Sequence, residues 1–318
     1  MNRLLGIALN KARRVISESE EHAIINVARS AKDTQAIRDL INTDKPSLIG
    51  RFGSGELNAV ATYIRKTAKS NWPGEKCYRF VKGELDTFWW HDGIRNSLYN
   101  GAGMFSVDDK DLDKFALRML DDARYIDILG SWRKEETLLE KEMKNCKKVS
   151  LISLEPYLSI DPWSECLKEK NILVIHPYFK TIKKQYKIRG NLFRDKRVLP
   201  DFRMQTFEPL QTIAGNTDKR FTSWFDGLKW MEDRIDELQF DIAIIGAGAY
   251  GLPLAAHIKR IGKKAIHLGG ATQILFGIKG ARWEKKPEFQ MLFNEHWVRP
   301  EQSERPQGYQ TIEKGCYW

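Results

Sequence analysis

Phe240-Asp241-Ile242-Ala243-Ile244-Ile245-Gly246-Ala247-Gly248-Ala249-Tyr250-Gly251 is the stretch on which the fold turns. Its first half is a short apolar run with β-branched residues, which predicts a strand buried on both faces. Its second half places glycines where a strand turns into a helix, and residues 252–261 carry the helical pattern onward. Gly262 then supplies a helix-ending residue. A second strand follows over Lys264-Ala-Ile-His-Leu268, and Gly269-Gly270 turns again into residues 271–276.

The same alternation extends outward in both directions. Asn171-Ile-Leu-Val-Ile-His176 reads as another doubly buried strand, with a helix over 179–188 after it. Strands are expected at 125–129 and 148–154, and one or two within 198–207. Thr222 is the expected N-cap of a helix over 223–238. Upstream, Ser47-Leu-Ile-Gly-Arg-Phe52 reads as a strand and 56–67 as a helix. Helices are also expected over 84–99, where Trp89 and Trp90 stand, over 110–123 and, charged and exposed, over 134–144. Strands alternating with helices at crossover spacing predict an α/β fold, a mostly parallel sheet with helices on both faces, Rossmann-like. The expected division is an N-terminal helical segment (1–45), an α/β domain (46–283) and an extended C-terminal arm (284–318).

The chain has 318 residues, of which 42% are apolar, enough for a large core. Its net charge of +10 points to acidic partners: phosphates, nucleic acid or an anionic membrane. No nucleic-acid-binding module or aromatic–basic repeat accompanies that charge, so nucleic acid is not the expected partner. The four cysteines, Cys77, Cys146, Cys166 and Cys316, form no paired motif, which fits free thiols in a reducing compartment. Residues 1–16 lack the pattern of a signal peptide, because Arg3, Lys11, Arg13 and Arg14 interrupt the apolar residues. The expected location is therefore cytoplasmic. Leu4, Leu5, Ala8, Ala12, Val15 and Ile16 share one helical face, so this stretch can rest peripherally on the inner membrane face. The competing reading is a helix packed on the domain or on a partner subunit, which leaves an oligomer open.

In open parallel sheets ligands bind at the carboxyl ends of the strands. Gly246-x-Gly248-x-x-Gly251 matches the dinucleotide fingerprint in spacing and context. The fingerprint also needs an acidic residue about 20 positions on. His267-Leu268-Gly269-Gly270 stands there instead, so no NAD is expected. What remains is a helix N-terminus and a backbone that an anion can approach. Gly269, Gly270, Thr272 and Gln273 repeat that logic, and Lys279-Gly-Ala-Arg282-Trp283 suits a diphosphate and a stacked ring. Arg51 and Glu56 flank the earlier turn, Gly53-Ser54-Gly55. There Glu56 can be a base, a metal ligand or a helix-dipole partner. His176 and His267 end strands and are candidates for a base or a phosphate contact, against the simpler reading of bonded core histidines.

Gly50-Arg-Phe-Gly-Ser-Gly-Glu-Leu57 resembles the Arg-Phe/Tyr-Gly-Asp-Gly-Glu turn of bacterial glycosyltransferases of the GT-D fold. Gly248-Ala-Tyr-Gly-Leu-Pro-Leu-Ala-Ala256 and Gly262-Lys-Lys-Ala-Ile-His-Leu-Gly-Gly270 are similar to the same family's late segment. The resemblance implies transfer of a sugar from a nucleotide diphosphate donor, commonly a UDP-sugar, to a glycan or glycoprotein acceptor. Taken together with the strand-end positions, the expected catalytic residues are Arg51, Glu56 and His176. The expected donor contacts, read from the glycine turns and the basic residues after them, are Ser54, Gly246, Gly248, Tyr250, Gly251, His267, Gly269, Gly270, Thr272, Gln273, Lys279 and Arg282. The family's Asp-x-Glu motif binds a divalent metal, Mn or Mg. Here Ser54 replaces the Asp and only Glu56 carries over. The alternatives are a non-catalytic nucleotide- or glycan-binding relic of the fold and a nucleotide-dependent enzyme of another class, such as an oxidoreductase.

Overall fold

In the computed structural model residues 3–16 and 30–318 are described. The part of the helical reading that falls on 19–29 lies outside them. Seven strands form one sheet in the order β3-β2-β1-β7-β6-β4-β5, and every pairing is parallel. They are β1 (Ser47–Gly50), β2 (Ile128–Ser131), β3 (Lys147–Ser150), β4 (Asn171–Ile175), β5 (Arg203–Phe207), β6 (Ile242–Ile245) and β7 (Lys264–His267). The principal helices are α1 (Arg3–Ile16), α2 (Ala31–Asn42), α3 (Ser54–Thr67), α4 (Glu75–Val81), α5 (Asp92–Asn96), α6 (Asp109–Ala123), α7 (Phe179–Lys187), α8 (Trp224–Asp236) and α9 (Gly251–Arg260).

The period-2 alternation of a strand sends neighbouring side chains to opposite faces. Ala243 and Ile245 join one core with Leu48, Leu173 and residues of α3, α6, α8 and α9. Ile242 and Ile244 join the other with Ile49, Val174 and residues of α2 and α7. Both faces are covered, and that is why these strands read as unbroken apolar runs. Each buried Ile, Leu or Val side chain contributes about 2 kcal/mol by leaving water.

Local chemistry sets several boundaries. α8 is capped by Ser223, not by Thr222. The Ser223 hydroxyl accepts from the Asp226 N–H at 3.2 Å, and Thr222 Oγ1 donates to the Asp226 carboxylate at 2.6 Å. α9 ends as expected, with Gly262 at φ +83.

Three expected elements differ. Over 84–99 the helix forms only from Asp92 onward, as α5 running into a π-helix, Ser97–Ala102. Phe80, Phe88 and Trp89 instead pack edge to face at 4.8–6.2 Å. Of the charged, exposed helix expected over 134–144 only a 3-10 helix forms, Lys134–Leu139, and its own Glu135 and Glu136 are buried. The strand expected to reach Leu154 stops at Ser150 and continues as a turn, Leu151–Leu154. The segment 284–318 contains the helix Pro287–Gln290 and further short turns. It buries Trp297, Ile312, Cys316 and Trp318 in the core behind the sheet. No helix among the described residues is long and apolar enough to cross a membrane.

Candidate functional site

β1 is fully buried, so the residue after it emerges at the carboxyl edge of the sheet. That residue is Arg51. Its Nε and Nη2 donate to the Phe52 carbonyl at 3.1 and 3.0 Å. Its guanidinium lies 4.9 Å from the Trp132 ring centroid, and Trp132 Nε1 donates to the same carbonyl at 3.2 Å. Gly53 then caps α3, and Glu56 occupies the first helical turn. The Glu56 carboxylate folds back over Gly53, leaving no room for a Cβ there. Burial pushes the Glu56 carboxyl up from its ordinary range, against its own backbone N–H and Arg51, which pull it down. Burial lowers the pKa of Arg51, and Tyr317, Glu56 and Glu155 counter it.

Glu155, like Tyr317, is a residue at this edge that sequence reading did not single out. It follows β3 by one tight turn and lines a small pocket with Arg51, Leu151, Leu154, Leu268 and Ala271. Burial pushes its carboxyl up to about 7, opposed by a hydrogen bond with Tyr157 and by Arg51. Tyr157 also reaches the Ala271 carbonyl at 3.4 Å. The pocket's free volume of about 10 Å³ is roughly one water's worth. A larger hollow of about 330 Å³, lined by Arg124, Lys141, Lys144 and Cys146, lies beside the amino ends of β2 and β3. Open sheets bind ligands at the carboxyl edge, so the small pocket is the candidate site.

The chain's last residues close over this edge. Tyr317 lies against Gly270, where a Cβ would meet its ring. Arg282 Nη1 donates to the Tyr317 hydroxyl at 2.9 Å, Arg282 Nη2 pairs with Glu313 at 2.6 Å, and the guanidinium is 4.4 Å from the Tyr317 ring centroid. Gln273 Nε2 donates to the Tyr317 carbonyl at 3.1 Å, binding this strap to the β7 turn.

The structure thus brings Arg51, Glu56, Glu155 and Arg282 to one edge. It gives other predicted residues different surroundings. A Cβ on Gly246 would meet the Gly269 carbonyl at 2.6 Å, His176 Cδ2 at 2.7 Å and Thr272 Oγ1 at 2.8 Å. One on Gly248, which has φ +54, would meet the Ala102 carbonyl at 2.7 Å, and one on Gly251 would meet the His267 ring. Protein atoms therefore occupy the room those glycines leave. Thr272 is buried, with its hydroxyl donating to Ile245 O at 3.2 Å. Tyr250 is buried and stacks on Trp224 at 4.7 Å. His176 Nδ1 accepts from the Tyr178 N–H at 2.9 Å, and burial lowers its pKa to about 3. His267 Nδ1 lies 3.3 Å from Ile245 O, and burial followed by Arg51 lowers its pKa to about 4. Both rings are neutral near pH 7. Lys279 lies 5.5 Å from the Phe293 centroid, and Trp283 is buried near Phe289 and Tyr317. Ser54 is exposed. Trp89 and Trp90 are buried, with Trp90 Nε1 donating to Asp113 at 2.8 Å. Among the glycines expected to contact the donor, Gly269 has open space: nothing lies within 4 Å of a Cβ built there.

At the early turn the side chains offer a divalent metal a single carboxylate, Glu56. Hard cations take several oxygen ligands. Here one carboxylate, Glu56, is folded onto its own helix N-terminus, and the described residues contain no group of three His, Cys, Asp or Glu side chains able to hold an ion. Compared with known protein families, curated proteins and solved structures, the chain finds no match.

Proposed function

We propose that the chain is a glycosyltransferase of the GT-D type. In this reading it works on the cytoplasmic side and moves a sugar from a nucleotide diphosphate donor to a glycan or glycoprotein acceptor during surface-polysaccharide or glycoconjugate synthesis. The observation that carries it is Arg51 at the carboxyl end of β1, lining a pocket with Glu155 and interacting with both Glu155 and Glu56, two carboxyls raised by burial. Environments that perturb clustered ionisable groups mark sites of acid–base chemistry. The early-turn resemblance narrows the chemistry to glycosyl transfer.

The acceptor oxygen forms a bond to the anomeric carbon. The bond from that carbon to phosphate oxygen breaks, and its electron pair leaves with the nucleoside diphosphate. The acceptor proton goes to a carboxylate. Glu155, near 7, is matched to that exchange at neutral pH. Arg51, the N–H groups at the start of α3 and Arg282 offer positive charge to the departing diphosphate. Gly269 leaves the backbone open for close approach. Because the pocket is small, the Tyr317 strap must move to admit a nucleotide. No step is routed through a metal.

The test is a thermal-shift panel of UDP, GDP, CDP and NAD, with and without manganese, on the wild type and on Arg51→Ala. A nucleoside diphosphate should raise the wild-type midpoint and leave Arg51→Ala unmoved. Stabilisation by NAD alone would sink the proposal. Ser54, in place of a carboxylate, favours a second reading, a nucleotide-binding relic. Binding of UDP with no turnover of any UDP-sugar would support that reading instead.

A further inference from the structure

Two sides of α1 have opposite surroundings. A Cβ on Gly6 would come within 3.1 Å of Trp89 Nε1, so the backbone lies against that ring. Asn10 Nδ2 donates to Gly6 O at 3.0 Å. Arg13 donates to Leu85 O at 3.1 Å and lies 4.7 Å from the Phe80 ring centroid. Helical spacing puts Gly6, Asn10 and Arg13 on one side and Leu5, Ala8, Ala12, Val15 and Ile16 on the other. That other side faces away from the protein body: Val15 is 82% exposed, Ile16 55% and Leu5 47%. Ile7, 58% exposed, and the exposed cations Lys11 and Arg14 border the stripe. α1 contains no acidic residue.

We infer that this face of α1 docks on an anionic phospholipid surface. The apolar stripe fits the acyl boundary, and the bordering ammonium and guanidinium groups fit headgroup phosphates. Charge argues against a second copy of this chain as the occupant. Pairing two α1 faces would set Lys11 and Arg14 beside the same cations, with no carboxylate on either helix to offset them. The whole chain, at +10, is drawn to the same surface. The inference rests on α1 alone and stands whether or not the transferase reading does.

The test is flotation of the full chain with vesicles of phosphatidylcholine mixed with phosphatidylglycerol, and with vesicles of phosphatidylcholine alone. Binding should be at least roughly tenfold stronger to the mixed vesicles and should weaken with salt. The double variant Val15→Glu/Ile16→Glu should lose roughly tenfold or more in binding with an unchanged thermal midpoint, because both side chains are exposed. Lys11→Glu/Arg14→Glu should remove most of the salt dependence. Ile160→Glu, at an exposed site elsewhere, should leave binding unchanged. The inference is overturned if the wild type ignores mixed vesicles or if Val15→Glu/Ile16→Glu binds as well as the wild type. A dimer in sedimentation that the same double variant dissociates would also overturn it.

Discussion

The turn from Gly246 to Gly251 and the turn from Gly53 to Gly55 look alike in sequence, since each joins a buried strand to a helix. They differ in what fills the room the glycines leave. In the late turn it is the β7 turn, His176, the Ala102 carbonyl and the His267 ring. In the early turn Gly53 is covered by the carboxylate of Glu56, an ionisable group beside Arg51. Glycine spacing announces a close approach without saying whether a ligand or the protein makes it. The late turn is thus a packing joint, and the early one is a place where charge is held.

The largest expected effect tests the packing joint. Gly246→Ala would drive a methyl group into a backbone carbonyl and two buried side chains. It should destabilise the fold by about 3 kcal/mol, the upper part of the overpacking range. Urea unfolding measures this as a fall in midpoint at constant slope. A loss below about 1 kcal/mol would mean that the joint has slack, and the contrast between the turns would dissolve. Gly269→Ala is the companion. It meets nothing within 4 Å but sits at φ +60, so it should cost only about 1 kcal/mol.

This contrast also marks what the sequence could disclose. β4, β6 and β7 were legible because burial on both faces writes itself as unbroken apolar residues. Gly262 was legible because a left-handed helix end favours glycine. Arg51 and Glu56 were legible from their place at a strand end. Glu155 was not, because its neighbours Leu154 and Pro156 carry no motif, and only the tight turn after β3 swings it toward Arg51. Tyr317 was hidden for a related reason: the chain's return to the β7 turn is a tertiary event with no local signature. Over 84–91 aromatic packing overrode a helical pattern.

The next effect probes the charged edge. The Glu155 carboxyl is raised from 4.5 to about 7 in the folded state, so the native protein holds a proton that the unfolded chain releases first. Stability should therefore fall as pH rises from about 4.5 to about 7, with the full penalty above that window. Glu155→Gln should flatten this slope. At pH 8 it should gain about 1–2 kcal/mol over the wild type, a figure reduced for partial exposure, and at pH 4 it should gain nothing. Urea midpoints at the two pH values decide it. An equal gain at both would show that packing, not charge, distinguishes Glu155. In the strap, Tyr317→Phe removes the acceptor of Arg282 Nη1 and should cost about 1 kcal/mol.

The smallest effect on stability carries the sharpest information about the early turn. Ser54 is exposed and is the first residue of α3. An aspartate there would face the positive end of the helix and gain about 0.5 kcal/mol, partly offset by repulsion from Glu56. It would also complete the two-carboxylate spacing that the resemblance implies. If the turn is a cation site short of one ligand, manganese should raise the thermal midpoint of Ser54→Asp and release heat on titration. The wild type and the double variant Ser54→Asp/Glu56→Gln should give no response. If Ser54→Asp is equally indifferent, Glu56 is held by its own helix N-terminus too firmly to turn outward. The early turn would then share the backbone shape of the resembled family while using its carboxylate as a proton acceptor or a helix cap.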